Sequence, residues 1–107
     1  MKYYRRKIAV DLENMSYLDR MDLAINPSTP EEVFRVLAKD EDEEVRLALA
    51  ENPKTPEEVL LLLAKDEDWY VRYSVAKNNN TPKEILEELS RDEHETVRCY
   101  VARNKFK

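Results

Sequence analysis

Three arginines recur at one interval, Arg46, Arg72 and Arg98, each directly after a valine. The position never turns to lysine, although the column Lys39, Lys65, Arg91 exchanges the two freely. A strict arginine points to bidentate bonding, which a planar guanidinium makes and an ammonium does not. Asp40, Asp66 and Asp92 recur at the same interval and are the natural partners, in the same or the adjacent unit. For Arg72, Asp66 or Asp40 is the expected acid. This reads as a structural ladder. Phosphate capture by a row of three arginines is the functional alternative, and the neighbouring acids argue against it. Asn26, Asn52, Asn78 and Asn104 form a second series. They are expected to bond carbonyls left open at helix ends, or backbone of the next unit.

Other reactive residues are few. The single His94 stands where two other units have Asp42 and Asp68, and reads as an exposed substitute helix cap. The single Cys99 stands opposite Leu47 and Tyr73 and reads as a half-buried thiol, with no nearby base to activate it. The runs Asp40-Glu41-Asp42 and Asp66-Glu67-Asp68 invite a calcium reading. They lack the glycine and the ligand spacing of a dedicated loop, so helix capping explains them better. There is no glycine at all, which removes glycine-rich phosphate loops and nucleophile elbows. No pair of carboxylates stands out as acid and base. The expectation is no catalytic residue, no metal site, no cofactor and no enzyme activity.

What positions the arginines is a repeat. Asn26-Pro-Ser-Thr-Pro-Glu-Glu-Val33 returns as Asn52-Pro-Lys-Thr-Pro-Glu-Glu-Val59 and as Asn78-Asn-Asn-Thr-Pro-Lys-Glu-Ile85. Units 26–51, 52–77 and 78–103 align without a gap, after a degenerate cap unit 1–25 and before a stub 104–107, within one domain of 107 residues. In each unit Thr29, Thr55 or Thr81 is expected to be an N-cap. The proline after it takes the first helical position, and the second Glu completes a capping box. Helix A runs about 30–39, with Val33, Phe34 and Leu37 facing inward. Asp42 caps helix B, about 43–51, which buries Val45, Ala48 and Leu49. The Asn-Pro step ends it. Asn78-Asn79 lacks the proline, and a looser turn is expected there. In the cap unit Ser16 opens a B helix over 17–25. Ile8, Val10 and Leu12 fit a helix or, by their alternation, a strand; helix is favoured because a lone strand has no pairing partner.

The pattern Asn-Pro-x-Thr-Pro-x-x-Val/Leu, Leu-Ala-x-Asp-x-Asp-x-x-Val-Arg-x-x-Val-Ala closely resembles the variant leucine-rich repeat, a relative in architecture of HEAT repeats. The resemblance covers 19–104, most strongly 26–104. It implies an all-α fold, a right-handed α-solenoid of stacked helical pairs in which one helix of each pair is short or 3₁₀. The slightly long unit implies a fuller, more HEAT-like second helix. One member of that family carries an N-terminal iron–sulfur cluster; this chain lacks the cysteines for it. The family has no common catalytic activity.

Function is then expected where the units differ. Trp69 and Tyr70 replace Glu43 and Glu44, Tyr73 replaces Leu47, and Tyr100 replaces Ala48 and Ser74. Trp69 and Tyr73 stand four apart and share a helix face. Glu43 and Glu95 occupy the Trp69 column, so that column faces solvent. An exposed Trp–Tyr pair rimmed by acids has the composition of an interface hot spot. Packing of the rings between neighbouring B helices is the alternative. The reading is a non-catalytic protein–protein interaction module of the cytoplasm, a monomer or weakly self-associating, binding a protein through Trp69, Tyr70, Tyr73 and Tyr100. Two rivals stand beside it. One is nucleic-acid binding through the basic ends, since some HEAT-like stacks hold DNA: Lys2, Arg5, Arg6 and Lys7 lie at one end, Arg98, Arg103, Lys105 and Lys107 at the other. The net charge of −5 and the acidic middle argue against it. The other is self-assembly through apolar surface left at the end of the stack. No apolar run is long enough to span a membrane.

Overall fold

From Tyr17 onward the described helices are α1 Tyr17–Ile25, α2 Glu31–Leu37, α3 Glu43–Glu51, α4 Glu57–Leu63, α5 Trp69–Lys77, α6 Lys83–Leu89 and α7 Glu95–Asn104. The structure, a computed structural model, describes residue 12 and residues 14–105. The reading of Ile8 and Val10, and the ends of the cap unit and stub, lie outside these residues. Leu12 is helical and buried. Among the described residues there is no strand.

A short helix and a longer one alternate, and together they form a solenoid. The long helices α1, α3, α5 and α7 pack closely one on the next, while α2, α4 and α6 lean on their long neighbours. The result is elongated, 45 × 23 × 17 Å. Close approach of the long helices rests on small side chains: Ala24, Ala50 and Ala76 occupy one column and are fully buried. The apolar columns run the length of the stack. Val33, Val59 and Ile85 form one; Leu37, Leu63 and Leu89 another; Val45, Val71 and Val97 a third; all are buried. Each unit therefore completes its core only against its neighbours.

The short helices are shorter than the sequence implied, seven residues each, and both of their ends differ from expectation. Pro30, Pro56 and Pro82 are the N-caps, in extended geometry, and the preceding threonine does not cap. Instead the Thr29, Thr55 and Thr81 hydroxyls donate backward to the carbonyls of Leu23, Leu49 and Val75, at 2.7, 2.6 and 2.6 Å. They close the last turn of the preceding long helix, where carbonyls have no helical partner. At the other end the chain tightens into three-residue turns, such as Lys39 N–H to Val36 O and Asp40 N–H to Leu37 O, which stop the helix at Leu37.

The asparagines tie unit to unit. Asn52 Nδ2 donates to Ala24 O and Asn26 O, at 2.8 and 3.3 Å, and Asn78 Nδ2 to Ala50 O and Asn52 O, at 2.8 and 3.0 Å. The bonds reach carbonyls at and just past the end of the previous long helix, not backbone of the following unit. Each Oδ1 accepts the amide two residues on, as Asn26 does from Ser28. Asn26 and Asn104 are exposed, and Asn104 Nδ2 bonds Tyr100 O within its own helix. The Asn78-Asn79 turn is no looser than its relatives: Thr81 N–H still reaches Asn78 O at 3.2 Å, as Thr55 reaches Asn52 at 3.1 Å.

These bonds assign the threonine hydroxyl a donor's role. Thr55→Val keeps the shape and removes the donor, and is expected to cost about 1 kcal/mol, while Thr55→Ser costs less. Urea unfolding of the three proteins checks this. Equal midpoints would remove the hydroxyl from the account.

Candidate functional site

The arginines sit in the first turn of each long helix and reach forward. Arg46 Nε meets Asp66 Oδ2 at 2.8 Å, and its Nη2 meets Asp68 Oδ2 at 2.8 Å. Arg72 Nε and Nη2 take both oxygens of Asp92, at 2.8 and 3.0 Å. The acid that Arg72 pairs with is thus Asp92 of the following unit, not Asp66 or Asp40. Asp66 offers Arg72 only its backbone carbonyl, to Nη1 at 2.7 Å. Its carboxylate is already held by Arg46, and Asp40 is held by Arg20, Nε to Oδ2 at 2.8 Å. Each aspartate has three duties. Its side chain binds the arginine behind it, its Oδ1 accepts the amide two residues on, and its carbonyl receives the arginine of its own unit.

Arg20 is a rung that the repeat reading missed. It lies one period before Arg46, but Asp19 stands before it where the others have a valine. At the opposite end Arg98 donates from Nη1 to Asp92 O and Glu93 O, at 2.7 and 3.0 Å, and meets no carboxylate among the described residues. Asp42 and Asp68 stand at N-cap positions but give no side-chain cap, because their carboxylates turn to Arg20 and Arg46.

The rungs are sheltered: Arg72 is 7% exposed. Paired acids raise the Arg46 and Arg72 guanidinium pKa values further, led by the hydrogen bonds that the two arginines donate to Asp66 and Asp92. At Asp92 burial alone would push the carboxyl up. The Arg72 hydrogen bonds, the His94 amide and the Arg72 charge overcome it and hold the group below its ordinary value.

The third unit breaks the pattern at His94. With no carboxylate in that position, Arg72 keeps Asp92 and has Glu93 only at 3.9 Å. His94 does cap α7, its Nδ1 accepting the Thr96 amide at 3.2 Å. It also does something the sequence did not reveal: its ring stacks on Trp69, centroids 4.1 Å apart and planes 10° from parallel. Trp69 meets Tyr70 and Tyr73 edge-on at 5.9 and 6.2 Å, and Tyr73 meets Tyr100 edge-on at 5.3 Å. The Lys77 ammonium lies 5.3 Å from the Tyr73 ring centroid. The four aromatic residues singled out therefore join His94 in one face across α5 and α7. Trp69 is 38% exposed, while Tyr70, Tyr73 and Tyr100 are half-buried. Burial, with the charges of Asp68 and Glu43, pushes the Tyr70 phenol up. The face continues into an open cleft lined by Tyr73, Glu95, Cys99, Tyr100 and Arg103. Cys99 is exposed, not half-buried: no described helix lies over it as α5 and α7 lie over Leu47 and Tyr73.

This arrangement offers stacking, a cation and rimming carboxylates. Among the described residues, no three His, Cys, Asp or Glu side chains are grouped to hold a metal, and no helix is long and apolar enough to cross a membrane.

Asp92 can be tested through acid. Asp92→Asn leaves Arg72 sheltered without a counter-charge and is expected to cost about 3 kcal/mol at neutral pH. The contribution is whole above the ordinary carboxylate range. It is lost as pH falls through that range toward the lowered folded value, because the unfolded chain takes up the proton first. The gap in urea midpoint between wild type and Asp92→Asn should therefore close in acid. A gap that stays constant with pH would mean that charge is not its cause.

Residues 43–68 match the family model of the leucine rich repeat variant. The match spans one full period, α3 through the N-cap of α5. No curated protein matches the chain, and no solved structure does.

Proposed function

From a chain that carries the leucine rich repeat variant, a HEAT-like helical repeat scaffold, we propose a non-catalytic module of the cytoplasm that binds another protein through the α5–α7 face. One observation carries this reading. In the column held by Glu43 and Glu95, Trp69 stays more than a third exposed, yet its ring is held on three sides by His94, Tyr70 and Tyr73. A large aromatic fixed in place loses little freedom on binding and contributes much contact area. Lys77 at the Tyr73 ring, with Glu95 and Arg103 along the cleft, supplies a mixed polar rim. Tyr100, where two other units have Ala48 and Ser74, widens the face toward α7.

Trp69→Ala separates binding from packing. The loss of one stacked and two edge-on contacts is expected to cost about 1–2 kcal/mol in urea unfolding, well below the ~3–5 of a core aromatic. Peptides selected from a display library on the immobilised chain should lose roughly thirtyfold in affinity for the variant. Full retention of affinity would move the site elsewhere. A core-sized loss of stability would make the rings packing alone.

A further inference from the structure

One edge of the face around Trp69 carries a single sign of charge. Trp69 is the first residue of α5, and Glu43 and Glu95 are the first residues of α3 and α7, so the three form a column across the long helices. Both glutamates are exposed, and neither stands in an ion pair among the described residues. No lysine or arginine occurs in residues 40–44, 66–70 or 92–96, the turns and first helical residues along this edge. Arg46 and Arg72 reach it from neighbouring units, but they are buried and held by Asp66 and Asp92. Arg98 turns to the carbonyls of Asp92 and Glu93. Lys77 stands eight residues along α5 from Trp69, about 12 Å by helical rise. The indole itself has a stacking place left. His94 lies flat on one of its faces, Tyr70 and Tyr73 meet it edge-on, and no described ring lies flat on the other.

Resting on the reading of this face as the binding surface, we propose that the Glu43–Trp69–Glu95 column receives an extended basic segment of the partner protein, with a base at every third residue. The central residue is an arginine, whose guanidinium lies on the indole face opposite His94. The two flanking bases pair with Glu43 and Glu95. Closely packed helices lie roughly 8–10 Å apart, which sets the step from one glutamate to the indole and on to the next. A polyproline II chain rises about 3.1 Å per residue with three residues per turn, so it presents the same side every ~9 Å. A planar guanidinium stacks on an indole more closely than an ammonium does. An acidic segment would meet Glu43 and Glu95 with like charge. A wholly apolar helix would cover both glutamates unpaired.

The probe is the peptide Arg-Pro-Pro-Arg-Pro-Pro-Arg, titrated into the whole chain at neutral pH. Trp69 is the one tryptophan, so its fluorescence reports the site directly. The emission should change and saturate. Affinity should fall about tenfold or more for Glu43→Gln with Glu95→Gln, and equally for the isomeric peptide Arg-Arg-Arg-Pro-Pro-Pro-Pro on the unaltered chain. Glu57→Gln with Glu87→Gln removes the same charge from exposed positions on the short helices, and should leave affinity within about twofold at physiological salt. Unchanged emission, equal affinity for the two isomers, or equal losses from the two glutamine pairs would overturn the proposal. So would emission that changes with protein concentration alone, which would make the occupant a second copy. Display-library peptides that need Trp69 but not Glu43 and Glu95 would overturn the basic segment and leave the face a binding surface. Library peptides indifferent to Trp69 would overturn both readings.

Discussion

The stack depends on a guanidinium that reaches out of its own unit. Arg20, Arg46 and Arg72 each leave the first turn of a long helix, cross the junction, and find the aspartate that opens the next long helix. The geometry allows this because the same aspartate turns its backbone carbonyl the other way, toward the arginine of its own unit. A charge buried at a junction is costly unless it is paired and its donors are satisfied. Here that condition couples each unit to the next, since no unit supplies both halves of a rung. Burial of Val45, Leu49 and Ala50 gives the attraction. The rung and the Asn52 bonds set the register at which the helices meet.

Against that frame of repeated contacts, the third junction stands out. His94 removes one carboxylate from the Arg72 rung and offers a flat ring instead. Trp69, at the start of the previous long helix, lies on that ring. The junction exchanges part of its ionic pairing for an aromatic stack that is open to solvent. A repeat protein gains specificity by such local departures, because any column left uniform presents the same chemistry at every step.

Much of the fold can be read from residues alone. The period, the paired helices, the inward columns and the residue types of the central rungs all follow from identities that return every 26 residues. Direction does not. A periodic sequence is the same seen forward or backward across a junction, so it cannot say whether Arg72 pairs with Asp66 or Asp92, or whether Asn52 bonds the unit before it or after it. Only the offset between stacked helices decides. The threonines depart from the role their spacing implies for a related reason. A Thr-Pro-x-Glu string has the form of a helix start, but proline in extended geometry takes the cap, and the hydroxyl is left facing the helix that has just ended. The cap at His94 is legible in the sequence, while its stack on Trp69 is hidden. Their contact spans two units, and neither residue is repeated. Arg20 was obscured because Asp19 broke the Val-Arg pair that marks the other rungs.

The coupling of units through the rungs is tested most directly by a double-mutant cycle on the central pair. Wild type, Arg46→Gln, Asp66→Asn and the double variant are unfolded in urea at neutral pH, and the interaction term is taken from the four free energies. The account predicts a coupling of about 2 kcal/mol or more, with the double variant much less damaged than the two single losses added together. Single losses that add to within about 0.5 kcal/mol would contradict it. The arginines and aspartates would then stabilise their own units independently, and apolar burial alone would hold the stack.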